Sequence, residues 1–237
     1  DGLGHVTRYE SGFDGQVLRT LQYTDPLPTG LDDEQLAAAV GQLFLDPVAS
    51  AAAHTSANAY DKAGRATVTV DALGYATAYS YSPFGELVRS ERFSAAIAAW
   101  PQASFDGALP ATVTASASRV SSSVYDNGGR TVATVDALGY ATRFEYNTAG
   151  QPTRALQYAT AIDAHLEGAL MQDALDELFT DEVATGAARV SATVYDAIGR
   201  AIATGDMNLV CELYLDLATA LLRAGDPDTA LHELVEC

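Results

Sequence analysis

The sequence predicts a mainly β protein with helical insertions (α+β), in which tandem antiparallel hairpins form an extended or shell-like sheet, followed by an αα-hairpin. Three observations point to it. A short turn-like motif returns at a long period, the residues between turns alternate at strand spacing, and the stretches between the repeated blocks carry helical periodicity.

The motif is Asp1-Gly2-Leu3-Gly4-His5-Val6-Thr7, which returns as Asp71-Ala72-Leu73-Gly74-Tyr75-Ala76-Thr77 and as Asp136-Ala137-Leu138-Gly139-Tyr140-Ala141-Thr142. A second motif, Tyr60-Asp61-Lys62-Ala63-Gly64-Arg65, recurs as Tyr125-Asp126-Asn127-Gly128-Gly129-Arg130 and Tyr195-Asp196-Ala197-Ile198-Gly199-Arg200. Three units of 65 to 70 residues follow, at 1–70, 71–135 and 136–205. Within a unit, Tyr75, Thr77, Tyr79 and Tyr81 alternate with small or polar residues, the pattern of a half-buried strand. The Asp-x-x-Gly spacing sets a side chain that hydrogen-bonds its own backbone at the turn entrance and a glycine where positive φ is needed. Tyrosines at strand spacing are expected to pack across strands and fill the sheet face. Each hexad arginine is expected to clasp a neighbouring repeat through its Asp or a carbonyl.

Inserts interrupt the units near 20–55, 90–118 and 155–187. In the first, Leu36, Val40, Leu43 and Phe44 share one helical face, with Asp32 as N-cap and Gln35 at the capping-box position. In the third, Leu166, Leu170, Leu175, Leu178 and Phe179 repeat the arrangement, and Leu21-Gln22-Tyr23 matches Leu156-Gln157-Tyr158. Ala95 to Ala99 in the middle insert predict a short helix ended by Pro101, then a loop. Over 206–237, Leu213, Leu217, Leu221 and Leu222 form a helical stripe ending at Gly225, and Asp226-Pro227 opens a second helix. An antiparallel hairpin there brings Cys211 and Cys237 together. That predicts a disulfide and an oxidising compartment, the alternative being two thiols in a helical core.

These motifs resemble the YD repeats of the Rhs family, which includes bacterial Rhs toxins, insecticidal toxin-complex subunits and animal teneurins. The resemblance rests on Gly74-x-x-Thr77-x-Tyr79-x-Tyr81-x-x-x-Gly85-x-x-x-Arg89 and on the three hexads. The residues that carry it are Tyr60, Asp61, Gly64, Arg65, Tyr125, Asp126, Gly129, Arg130, Tyr195, Asp196, Gly199 and Arg200. Ser82 and Asn147 depart from it, standing where the family has aspartate, and the inserts are longer than in ordinary arrays. The tail is similar to one tetratricopeptide-like repeat.

The resemblance implies a non-catalytic segment of a large exported protein, secreted or at the cell surface, acting as a shell or scaffold. Its partners would be neighbouring repeats or copies of itself, and an encapsulated toxin or surface ligand. No Asp-Pro-x-Gly self-cleavage sequence of the kind expected of shell-forming toxins is present. The alternative is a repeat-built extracellular fibre or adhesin whose helical inserts make the contacts.

Composition narrows the rest. A net charge of -18 repels phosphate backbones, which argues against nucleic acid as a partner. No apolar run approaches the roughly 20 residues of a membrane-spanning helix. His5, His54, His165 and His232 are scattered without ligand spacing, no Gly-x-Ser-x-Gly or phosphate-cradling loop is present, and neither a cofactor nor a metal is expected. Asp32-Asp33, Asp176-Glu177 and Asp181-Glu182 read as solvated helix faces. Because Asp1 opens a repeat unit, the sequence is expected to start inside a larger protein.

Overall fold

The computed structural model describes residues 3–98, 100, 105–196 and 198–206. Asp206 ends a strand, and the rest of the helical hairpin expected over 206–237, with the Cys211–Cys237 pairing, lies outside the described residues. The chain divides into two compact units, Asp1–Val120 and Ser121–Cys237.

In the first unit, β1 (Thr7–Ser11) and β2 (Val17–Gln22) lead through α1 (Asp33–Leu45) and α2 (Pro47–Ala52) to β3 (His54–Tyr60). Then come β4 (Ala66–Val70), β5 (Tyr75–Tyr81), β6 (Leu87–Ala96) and the short α3 (Ala111–Thr114). β1 to β6 form an antiparallel meander in chain order. Small and β-branched side chains dominate the core: Ala59, Val68, Val70 and Ala76 form one buried cluster with Phe93, Ile97 and Val113, and Ala57 is buried as well.

Strand β7 (Ser118–Tyr125) carries the boundary between the units. The second unit continues with β8 (Thr131–Val135), β9 (Tyr140–Tyr146), β10 (Pro152–Ala161), α4 (Gly168–Thr180), α5 (Glu182–Gly186), β11 (Arg189–Tyr195) and β12 (Ala201–Asp206). Its strands are again antiparallel neighbours in chain order. Leu156, Tyr158, Met171, Leu175 and Leu178 are buried.

Helices occupy the β2–β3 and β10–β11 connections, where the periodicity places them. Asp32 caps α1: its carboxylate accepts from Gln35 N at 2.9 Å, and the Gln35 side chain accepts from Asp32 N at 3.2 Å. The matched triplets do the same work in both units. Leu21 and Tyr23 lie under α1 with Tyr23 stacked on Phe44 at 5.8 Å, and Tyr158 meets Phe179 of α4 at 5.1 Å.

Three expectations change. The tightly buried face of β5 is the alanine face, Ala76 being fully buried while Tyr75, Tyr79 and Tyr81 stay half exposed. At half exposure their hydroxyls keep polar partners, Tyr81 donating to Ala66 O at 2.9 Å and Tyr79 meeting the Thr69 hydroxyl at 3.3 Å. In the third insert Leu166 precedes the helix and Leu170 is exposed, so the packed stripe is Met171, Leu175 and Leu178. In the middle insert the chain does not turn helical at Ala95: β6 runs through Ala96, and Ile97, buried, donates its N–H to Gly74 O at 2.9 Å. Burying Phe93 and Ile97 against the sheet overrides alanine's helix propensity.

Candidate functional site

The repeated hexads close the hairpins β3–β4, β7–β8 and β11–β12. In the first, Gly64 N donates to Asp61 O at 3.0 Å and Asp61 N to Arg65 O at 2.9 Å, and the strand register shifts between Ala59 and Tyr60. This is a type I turn followed by a bulge residue at positive φ, 81° at Gly64, which a side chain would strain.

The aspartate fastens the turn from inside. Asp61 Oδ1 accepts from Ala63 N at 2.9 Å and Arg65 N at 3.0 Å, and Oδ2 from Arg65 Nε at 2.7 Å. Asp126 does this with Gly128 N, Arg130 N and Arg130 Nε at 2.8, 3.0 and 2.7 Å, and Asp196 with Ile198 N, Arg200 N and Arg200 Nε at 3.1, 2.8 and 2.7 Å. The arginine's acidic partner is thus its own hexad's aspartate, not a neighbouring repeat's, because a four-residue separation across the turn sets the two side chains side by side, while the expected carbonyl of a neighbouring repeat is met by Arg65, which donates to Ser82 O at 3.5 Å.

These contacts hold all three carboxyls below the usual carboxylate range. For Asp61 and Asp196 the backbone N–H of the following arginine is the main cause and its side chain the second, and for Asp126 the order is reversed.

The hexad also reaches the next hairpin. The Arg65 guanidinium lies 4.6 Å from the centre of the Tyr81 ring and that of Arg130 4.9 Å from Tyr146. Tyrosine hydroxyls then tie strand to strand at one kind of place, the carbonyl of a strand's first residue. Tyr60 donates to Val17 O at 3.1 Å, Tyr81 to Ala66 O at 2.9 Å, Tyr146 to Thr131 O at 2.6 Å and Tyr195 to Pro152 O at 2.9 Å. Sequence reading missed this link. Its signal was the constant sixteen-residue step from Arg65 to Tyr81 and from Arg130 to Tyr146.

Ser82 and Asn147 replace aspartate without loss of the turn. Ser82 Oγ accepts from Phe84 N and Glu86 N, each at 3.2 Å, and Asn147 Oδ1 from Ala149 N at 3.0 Å and Gln151 N at 2.9 Å.

Comparison with known proteins agrees with this geometry. Residues 60–92, from the first hexad into β6, match the RHS Repeat family. The chain carries an RHS repeat. Outside the matched residues, the other two hexads close their hairpins with the same backbone bonds, Gly129 N to Asp126 O and Gly199 N to Asp196 O. No curated protein matches the sequence. Among solved structures, the crystal structure of TcdB2-TccC3-Cdc42 is similar with a TM-score of 0.52 at 16% identity, over 86% of this chain and 8% of that one. A Photorhabdus luminescens Tc holotoxin pore with a mutated TccC3 gives 0.52 at 17% identity, also over 86% and 8%. TcdB2-TccC3 without its hypervariable C-terminal region gives 0.52 at 16%, again over 86% and 8%. The chain therefore spans about 8% of the length of these neighbours, and the likeness is one of fold.

Of the other acidic side chains named from sequence, two cap helices: Asp181 Oδ1 accepts from Val183 N and Ala184 N at the start of α5, as Asp32 does at α1, while Asp176, exposed on α4, accepts from Gln172 Nε2 at 2.9 Å. Among the described residues no three His, Cys, Asp or Glu side chains gather as a metal site, and no helix is long and apolar enough to cross a membrane.

Proposed function

We propose that the chain is a non-catalytic structural segment of a large exported protein built on RHS repeats, acting as a shell or surface scaffold. The observation that carries this reading is the use made of the repeated polar groups. Each hexad's aspartate and arginine bond within their own turn, and Arg65, Arg130, Tyr60 and Tyr195 also reach an adjoining hairpin, which makes these groups fasteners of a sheet and not reagents. The fold likeness to TcdB2-TccC3 supports it, as does the motif division into units 1–70, 71–135 and 136–205.

On this reading the partners are neighbouring repeats of the same protein and a toxin enclosed or displayed by them, and the location is secreted or cell-surface. Electron microscopy of the intact protein tests it. Closed shells or a sheet-walled scaffold are the expected result. Linear polymers would overturn the shell in favour of a surface fibre or adhesin whose inserts make the contacts.

A further inference from the structure

One groove in the first unit gathers cations in a chain that is otherwise acidic. It has a volume of about 470 Å³, and Tyr75, Arg92, Ser94, Ser118 and Arg119 line it. Its cause lies in β6. Between the pairs Tyr75–Ala96 and Thr77–Arg92, β5 has one residue and β6 three, so β6 bulges there. Phe93 is buried in the core, while Arg92 and Ser94 on either side of it are exposed and face the other way.

Strand register sets two arginines side by side. Ser94 N donates to Ala117 O at 2.9 Å, and two residues further along each antiparallel segment Arg92 stands opposite Arg119. The repeat agrees with this placement. Thr7, Gln22 and His54 form one row across three strands, Thr142, Gln157 and Arg189 form another, and Thr77 with Arg92 begins the same row in the middle repeat. The middle strand carries glutamine in the other two rows and arginine here. Like charges directly opposite each other destabilise a sheet. Asp71 relieves part of this, accepting from Arg92 Nη2 at 2.9 Å, but both side chains of that pair are exposed and such pairs contribute little. Arg119, also exposed, has no ion pair among the described residues. The Ser118 hydroxyl is turned to Glu91, at 2.6 Å.

We propose that this groove binds a tetrahedral oxyanion, a phosphate or sulfate group carried by a small molecule. A guanidinium fork takes two oxygens. A carboxylate has enough for one fork, whereas phosphate or sulfate has enough for Arg92 and Arg119 together. Bound there, the anion separates the two like charges and removes their repulsion. Half-exposed Tyr75, whose ring centre lies 5.9 Å from the Arg92 guanidinium, offers a face for the body of the ligand. The volume is that of a small-molecule site.

The site is independent of the shell reading, since it uses one groove of one unit. Titration of the chain with inorganic phosphate, inorganic sulfate or acetate, each exchanged for chloride at constant ionic strength, tests it. The readout is the arginine Nε–H signals in proton–nitrogen correlation spectra. Phosphate and sulfate are expected to shift two signals saturably, those missing from Arg92→Lys and Arg119→Gln, and acetate is expected to leave them in place. Arg119→Gln, at an exposed position the fold tolerates, is expected to weaken phosphate binding about tenfold, the worth of hydrogen bonds to a charged group. Asp71→Asn keeps the side-chain oxygen that accepts from Leu73 N and Tyr75 N and removes the carboxylate that competes for Arg92. It is expected to tighten binding, a gain that a purely structural role for Asp71 would not produce. Saturation by either oxyanion alone supports the site and identifies the group. Shifts that never saturate, or equal affinity in Arg119→Gln, overturn the proposal, and acetate binding as tightly as phosphate overturns the tetrahedral class.

Discussion

Gly139 and Gly15 share a backbone angle, φ 86° and 81°, but not a neighbourhood. A Cβ on Gly139 would come 2.0 Å from Ile162 O, whereas one on Gly15 would meet nothing within 4 Å. Gly15→Ala is therefore expected to cost about 1 kcal/mol, the left-handed penalty alone. Gly139→Ala must also break the Ile162 N to Gly139 O bond that starts β10's insert, for a total of about 3 kcal/mol. Urea midpoints of the two variants measure the difference. The hexad aspartates set an acid limit. Their folded-state carboxyls titrate below the unfolded value, so their contribution is fully present above that value and fades as pH falls through the folded one. Stability is expected to be level from neutrality to about pH 5 and to fall below about pH 4, near the unfolded carboxylate range. The combined variant Asp61→Asn, Asp126→Asn, Asp196→Asn should flatten that fall in urea titrations at stepped pH. The turns and their glycines were legible in the sequence because Asp-x-x-Gly acts over four residues. The arginine–tyrosine contact was not, since it depends on which strands pair.

The two long helices look alike in sequence and differ in what holds them. α4 buries Met171, Leu175 and Leu178, and α1 buries none of its residues fully. Leu175→Ala is expected to cost about 3 kcal/mol through the cavity left behind. Leu36→Ala, at a position 44% exposed, should stay within about 0.5 kcal/mol. Thermal denaturation of both variants checks the contrast. The cap at Asp32 was readable because the capping box is local. Leu170 and Met171 were not separable by period alone, for adjacent residues both lie near the edge of an apolar stripe. The extension of β6 through Ala96 escaped sequence reading for a related reason: alanine is permissive, and the buried Phe93 and Ile97 decide its state.

At the scale of the whole molecule the acidic excess matters most. With a net charge of -18 the folded chain repels itself, and added salt screens that repulsion. The melting temperature is expected to rise as sodium chloride is raised from low to physiological ionic strength, measured by differential scanning calorimetry, and a flat response would mean that the charges are spaced too widely to matter. Among the described residues the helices lie in the β2–β3, β6–β7 and β10–β11 connections, while the hexad turns between them stay tight. Length can therefore change at every fourth connection without shifting a single strand pair, so these connections are ports at which foreign sequence, a tag or a recognition loop, can be grafted while the sheet keeps its register.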